Sequence, residues 1–161
     1  MTREEATHFL QAHQPMPLRP PDLLVEQYLR AVEVLEADHS EESLLLRLRS
    51  LSFGLGAYES VLDSVLSCGD HAAVIRAIGK ALETSNDTNL YWASLAALEV
   101  PDESYLIGLR NALGSKDVGV RGAAVTALER LGDAGRSALI SHAPNELDAD
   151  VRAQIETALG K

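Results

Sequence analysis

Cysteine is nearly missing from this chain: Cys68 is the only one among 161 residues, so no internal disulfide can form. Its apolar neighbours Val65 and Leu66 predict a buried thiol rather than a reactive one. Aromatic residues are scarce as well, at 4%, with one Trp and two Phe. An interior without large rings must be filled by Ala and Leu, which favours close helix-on-helix packing. Runs of β-branched residues are almost absent, which argues against strands. No stretch approaches the roughly 20 apolar residues of a membrane span. The opening MTREEATHFL is charged and has no apolar signal core, so a cytoplasmic location is expected. Positive charge is also in short supply, with 14 basic against 24 acidic residues and a net charge of -10. The deficit is even along the chain, each half carrying 12 acids and 7 bases. Such a surface repels phosphate backbones, so nucleic acid is a poor partner, and a basic protein is the electrostatic complement. Acidity also keeps a small domain soluble without any partner.

Chemistry-bearing patterns are missing too. His8, His13, His39, His71 and His142 include no pair at i,i+4 spacing, and none is followed by Glu. No metal site or cofactor is expected from that spacing. No Gly-x-Ser-x-Gly turn occurs, and Cys68 has no base nearby in sequence, so no catalytic residue is assigned.

What the chain does have is a repeat. From Pro101 to Asp133 it reads as helix, tight turn, helix. Tyr105, Leu106, Leu109, Ala112 and Leu113 form one apolar stripe, and Gly114-Ser115 interrupts it. Val118, Val120, Ala123, Ala124, Ala127, Leu128 and Leu131 form a second, which Gly132 stops. Asp38, Asp70, Asp102 and Asp133 stand 32, 32 and 31 residues apart, each where a new helix should begin. An Asp there can accept from free N–H groups and complement the helix dipole. Gly69 and Gly132 suit the left-handed residue that closes a helix.

The repeats are 39–69, 70–101, 102–132 and 133–160. First helices are expected near 41–51, 71–84, 103–113 and 134–143, and second helices near 57–68, 88–99, 118–131 and 149–159. Ahead of them, Thr2-Arg3-Glu4-Glu5 fits a capping box opening a short helix to about residue 13. The proline-rich stretch 14–21 cannot be helical. A longer amphipathic helix, about 22–37, follows it, and 1–38 together make an N-terminal cap. One pair of helices cannot bury its stripes alone, whereas stacked pairs can. The expected fold is therefore all-α, a single right-handed α-solenoid domain of about five antiparallel helix pairs.

At Asp117, Val120, Arg121 and Ala124 the pattern D-x-x-V-R-x-x-A resembles a short HEAT-like repeat, of the kind also found in phycobilisome-lyase-type proteins. It recurs at Asp148, Val151 and Arg152 with Ile155 in the Ala place. It departs at Asp87-Thr88-Asn89-Leu90-Tyr91, where Tyr stands for Arg, and at Ala57-Tyr58-Glu59. The resemblance covers about 39–160. It implies a protein-binding array whose second helices line a concave face, and an Asp–Arg ladder in which Arg121 and Arg152 meet Asp117 and Asp148. HEAT-repeat hydroxylases hold metal through His-Glu dipeptides, which this chain lacks. With Tyr91-Trp92 in a middle repeat and Pro101-Asp102 at the next turn, the chain is similar to small acidic HEAT-repeat proteins of bacteria, some of which act as immunity proteins that cap a toxin, and the resemblance implies that role within the binding class. The rival class is an enzyme accessory, such as a lyase-type carrier of a chromophore.

Candidate protein contacts are Tyr58, Tyr91, Trp92, Asp70, Asp102, Glu103 and Asp133. Aligning Asp87 with Asp117 sets Leu90 against Val120, Tyr91 against Arg121 and Trp92 against Gly122. On that register Trp92, flanked by Asn89 and Ser94, projects into the concave face as an anchor. The competing reading is a Trp filling a gap between repeats. The acids at helix starts, with Glu41 and Glu42, would form a ridge that either docks a basic partner or only caps helices.

Overall fold

The computed structural model describes residues 1–14, 17, 19–52, 58–84 and 86–160. Positions 15, 16 and 18 of the proline-rich stretch, and position 57 at the expected start of a second helix, lie outside the described residues. Among the described residues there are ten α-helices and no strand. In chain order they are α1 (Arg3–Ala12), α2 (Asp22–Glu36), α3 (Glu41–Ser50), α4 (Tyr58–Leu66), α5 (His71–Ala81), α6 (Asp87–Glu99), α7 (Leu106–Ala112), α8 (Val118–Arg130), α9 (Gly132–His142) and α10 (Ala149–Ala158). A 3-10 turn, Glu103–Tyr105, leads into α7, and another, Ala143–Asn145, follows α9. The helix pairs read from the apolar stripes are all present, with ends within a few residues of those expected. None of these helices is long and apolar enough to cross a membrane.

The chain forms two compact units, Met1–Ala81 and Leu82–Lys161. The division falls between α5 and α6, inside the repeat 70–101.

In the first unit, α3 packs against α1, α4 and α5, and α2 packs against α1 and α4. The capping box opens α1 as the sequence predicts: the Glu5 N–H donates to the Thr2 hydroxyl and the Thr2 N–H donates to the Glu5 carboxylate. Leu10, Tyr28, Leu35, Leu44, Leu48 and Ile78 are among its buried side chains. So is Arg47, at 0% exposure. Its Nη1 donates to the Ser64 hydroxyl at 3.1 Å and to the Ser64 carbonyl at 3.4 Å, and its Nη2 to the Asp38 carbonyl at 3.4 Å. Burial weakens the hold of this guanidinium on its proton and lowers its pKa, with nearby negative groups acting in the opposite sense.

In the second unit, α8 is central. It packs against α6 on one side and α10 on the other, with α7 and α9 against it as well. Ala93, Ala124 and Ile155, one from each of these second helices, are all wholly buried. Small residues let the helices approach. Gly135 on α9 is the extreme case: a Cβ there would stand 1.8 Å from the Leu128 carbonyl oxygen of α8. Only a residue without a side chain fits that crossing.

Two expectations about helix ends are corrected. Gly132 does adopt a left-handed conformation, at φ +61°, but Gly69 does not, so only the first closes a helix in that way. Asp133 is not a cap: it lies inside the first turn of α9, whose N-terminus has no side-chain cap.

Candidate functional site

The second unit repeats one local device three times. Asn86 caps α6, Asp117 caps α8 and Asp148 caps α10, each side chain accepting an N–H three residues on: Asn89 and Val120 at 3.0 Å, Val151 at 3.1 Å. Two residues before each cap stands an acceptor for the cap's own N–H: Thr84 at 3.2 Å, Ser115 at 3.0 Å and Glu146 at 2.9 Å. The spacing is 31 residues throughout. A short polar side chain bonding its neighbouring backbone holds the chain extended until the helix starts. In the first unit, Asp38 accepts from the Ser40 N–H at 3.0 Å, while Ser40 caps α3. Ser40 therefore takes the capping role expected of Asp38.

This register corrects the position of Trp92. The cap of α6 is Asn86, not Asp87, so the true alignment shifts by one residue. Trp92 then matches Ala123, which is buried, and Tyr91 matches Gly122. One residue turns a side chain by about 100° around a helix. The expectation of an exposed Trp92 is accordingly overturned: it is 1% exposed, and Asn89 and Ser94 are buried beside it. Tyr91 is half-buried. Its ring meets Trp92 edge to face, with centroids 5.4 Å apart, and it reaches across to Gly119 of α8, where a Cβ would lie 3.8 Å from the ring.

The remaining candidates are dispersed among helix starts. Tyr58, half-buried, opens α4, and Asp70, exposed, accepts from the Ala73 N–H at 3.0 Å. Asp102, half-buried, accepts from the Ser104 N–H at 2.9 Å, and Glu103 beside it is exposed, as is Asp133. The carboxylates of Asp70 and Asp102 do cap helix starts. Glu41 is less available to a partner: Arg76 at 2.8 Å and Lys80 at 2.5 Å hold it, and those two bonds lower its pKa.

The ladder forms with a different partner from the one expected. Arg121 meets Glu146 rather than Asp117, and Arg152 donates to the Glu146 carbonyl rather than meeting Asp148. Both Asp residues are already engaged as caps. Glu146 is 3% exposed. Burial alone would raise its pKa, but the Arg121 guanidinium, the Asp148 N–H and His142 together outweigh it and bring the pKa down to about 2. His142 Nε2 lies 3.2 Å from its Oε2. The sequence signal for this hub was present but faint: Glu146 stands where Ser115 and Thr84 stand, 31 and 62 residues earlier. Among the described residues, no group of three or more His, Cys, Asp or Glu side chains could hold a metal ion.

Tandem helix pairs with a polar cap recurring at α6, α8 and α10, and an Arg-carboxylate tie from one repeat to the next, define a helical repeat protein. Residues 73–160 match the family described as HEAT repeats, and the chain belongs to that family. No curated protein matches the chain. HEAT repeats generally serve as protein-interaction modules.

Proposed function

We propose that the chain is a non-catalytic binding module for a basic protein, with an immunity or inhibitor role against a toxin as its particular task. The observation that carries this reading is Tyr91. It is a half-exposed aromatic on α6, lying against the side-chain-free backbone of Gly119 on α8. A rigid ring with a polar tip beside an open stretch of helix is a natural anchor for a partner. Tyr58, which opens α4 of the first unit, is a second half-buried aromatic. The net charge of -10 supplies steering, and Asp70, Asp102, Glu103 and Asp133 are the acidic contacts. Trp92 contributes by holding Tyr91 edge to face rather than by touching the partner.

The test is affinity capture from the source cells on tagged wild-type protein, on Tyr91→Ala, and on Asp102→Asn/Glu103→Gln/Asp133→Asn. A basic protein retained by the wild type, released by salt and lost from the variants is expected. If that protein arrests growth when expressed alone and co-expression of this chain relieves the arrest, the immunity role holds. Retention that is indifferent to salt and to both variants would remove the reading.

A further inference from the structure

A groove of about 330 Å³ runs between α8 and α10 in the second unit. Val125, Thr126 and Glu129 of α8 and Ala153, Gln154 and Thr157 of α10 line it, with Asp150. Val125 is 2% exposed and forms its apolar base. The size lies at the low end of ligand sites, roughly 300–1,000 Å³, which suits a long side chain better than a whole small molecule.

The lining accepts hydrogen bonds more readily than it donates them. The Thr126 hydroxyl donates to the Gly122 carbonyl at 3.1 Å, and the Thr157 hydroxyl to the Ala153 carbonyl at 2.9 Å. Each hydroxyl proton is thereby committed, and the oxygen lone pairs are left for another group. Glu129 and Asp150 are both exposed, and neither makes an ion pair with any described residue. Arg130, the cation next to Glu129 in sequence, makes no ion pair with it, and Arg121 on the same helix is held by Glu146.

Helix electrostatics accounts for one of these carboxylates and not the other. Asp150 sits in the first turn of α10, where an anion complements the dipole. Glu129 sits in the last turn of α8, where an anion is disfavoured. The dipole gives no reason for a carboxylate at that place, whereas a cation arriving from outside would.

We infer that this groove seats a segment of the basic partner, with lysine or arginine side chains meeting Glu129 and Asp150 and their stems lying over Val125 and Ala153. The inference rests on the reading of the chain as a binder of a basic protein, and it names where and by what chemistry the partner is held. Charge complementarity and the acceptor-rich lining select a cationic segment over an acidic or purely apolar one.

The probe is a labelled hexa-arginine peptide, titrated at low salt and followed by anisotropy and by backbone amide NMR shifts. Three proteins are compared with wild type: Glu129→Gln/Asp150→Asn, Thr126→Lys, which puts a cation of the chain's own into the groove, and the edge variant Asp102→Asn/Glu103→Gln/Asp133→Asn. Glu129, Asp150 and Thr126 are exposed, so their variants should melt as the wild type does. Shifts centred on 125–129 and 150–157 are expected, with affinity weakened about fivefold or more by either groove variant. Peptide shifts that centre elsewhere, with affinity lowered by the edge variant and not by the groove variants, overturn the groove while leaving the binder reading intact. No binding of the peptide to the wild type also overturns it, and the binder reading then stands or falls on the captured partner.

Discussion

Arg121 binds its own repeat and the next one together. Its Nη1 donates to the Ser115 and Lys116 carbonyls at 3.0 and 3.2 Å, while Nε and Nη2 grip the two carboxylate oxygens of Glu146 at 2.9 and 3.1 Å. The cap of one second helix and the loop before the following one are thereby fixed by a single planar group. A guanidinium can do this because its donors form a rigid fork.

The first prediction follows from that fork. Arg121→Ala should lower unfolding free energy by about 3 kcal/mol, because it strands a carboxylate that is almost wholly buried. Arg121→Lys should recover less than half of the loss, since an ammonium cannot hold both oxygens in the same geometry. Chemical denaturation of Arg121→Ala, Glu146→Ala and the double variant gives the coupling directly. An interaction energy under about 0.5 kcal/mol would mean that the pair is incidental.

The second concerns acid. In the folded protein Arg121, the Asp148 N–H and His142 hold Glu146 down to a pKa of about 2, against the ordinary 4.5 expected in the unfolded chain. A depressed folded pKa contributes stability that is fully present above the unfolded value and is lost as pH falls through the folded one. Stability should therefore decline from about pH 4.5 toward pH 2. The share due to Glu146 is about 3 kcal/mol at most. Glu146→Gln should flatten this part of the profile. The same direction holds for Glu5, Asp38 and Glu41, so some slope persists in the variant. An acid limb identical in the wild type and Glu146→Gln would contradict the assignment.

A third prediction sets two glycines against each other. Gly135→Ala would force a methyl group to within 1.8 Å of the Leu128 carbonyl oxygen, which α8 cannot move without losing its packing. A loss of about 3 kcal/mol or outright failure to fold is expected. Gly69→Ala meets nothing within 4 Å and does not need a positive φ, so it should be neutral or stabilising by up to about 1 kcal/mol. Thermal melts of the two side by side decide the matter, and equal behaviour would refute the close crossing.

The fourth turns on the only Trp. Because Trp92 is 1% exposed, the free protein should already emit like an indole out of water. Trp92→Ala should cost about 3–5 kcal/mol. Tyr91→Ala, which strips the ring packed edge to face on Trp92, should cost only about 1 kcal/mol and move the emission slightly to the red. A red emission maximum in the native protein would return Trp92 to the surface.

The helices themselves were legible in the sequence because their signals are local. An apolar stripe at helical spacing, and a Ser, Thr, Asp or Asn at its start, act within a few residues of one another. The Thr2–Glu5 capping box and the Asp70 start of α5 are legible on those terms alone. The period near 31 was visible for the same reason, since each repeat restarts the same local grammar.

The candidate site was less legible, since a one-residue error in aligning repeats leaves every helix in place and still rotates every side chain. The D-x-x-V-R pattern sets Asp87 against Asp117. The structure chose Asn86, and that choice sent Trp92 inward and left Tyr91 on the open side.

By itself, then, the sequence determined the all-helical class, the helix pairs, the repeat length and the excess of negative charge, all of them properties of short segments or of composition. Only the tertiary structure decided that Arg121 pairs with Glu146, that Glu41 is held by Arg76 and Lys80, and that Gly135 touches Leu128. Those outcomes depend on which faces of distant helices meet. Packing fixes that to within a fraction of a helical turn, and spacing along one strand of sequence does not encode it legibly.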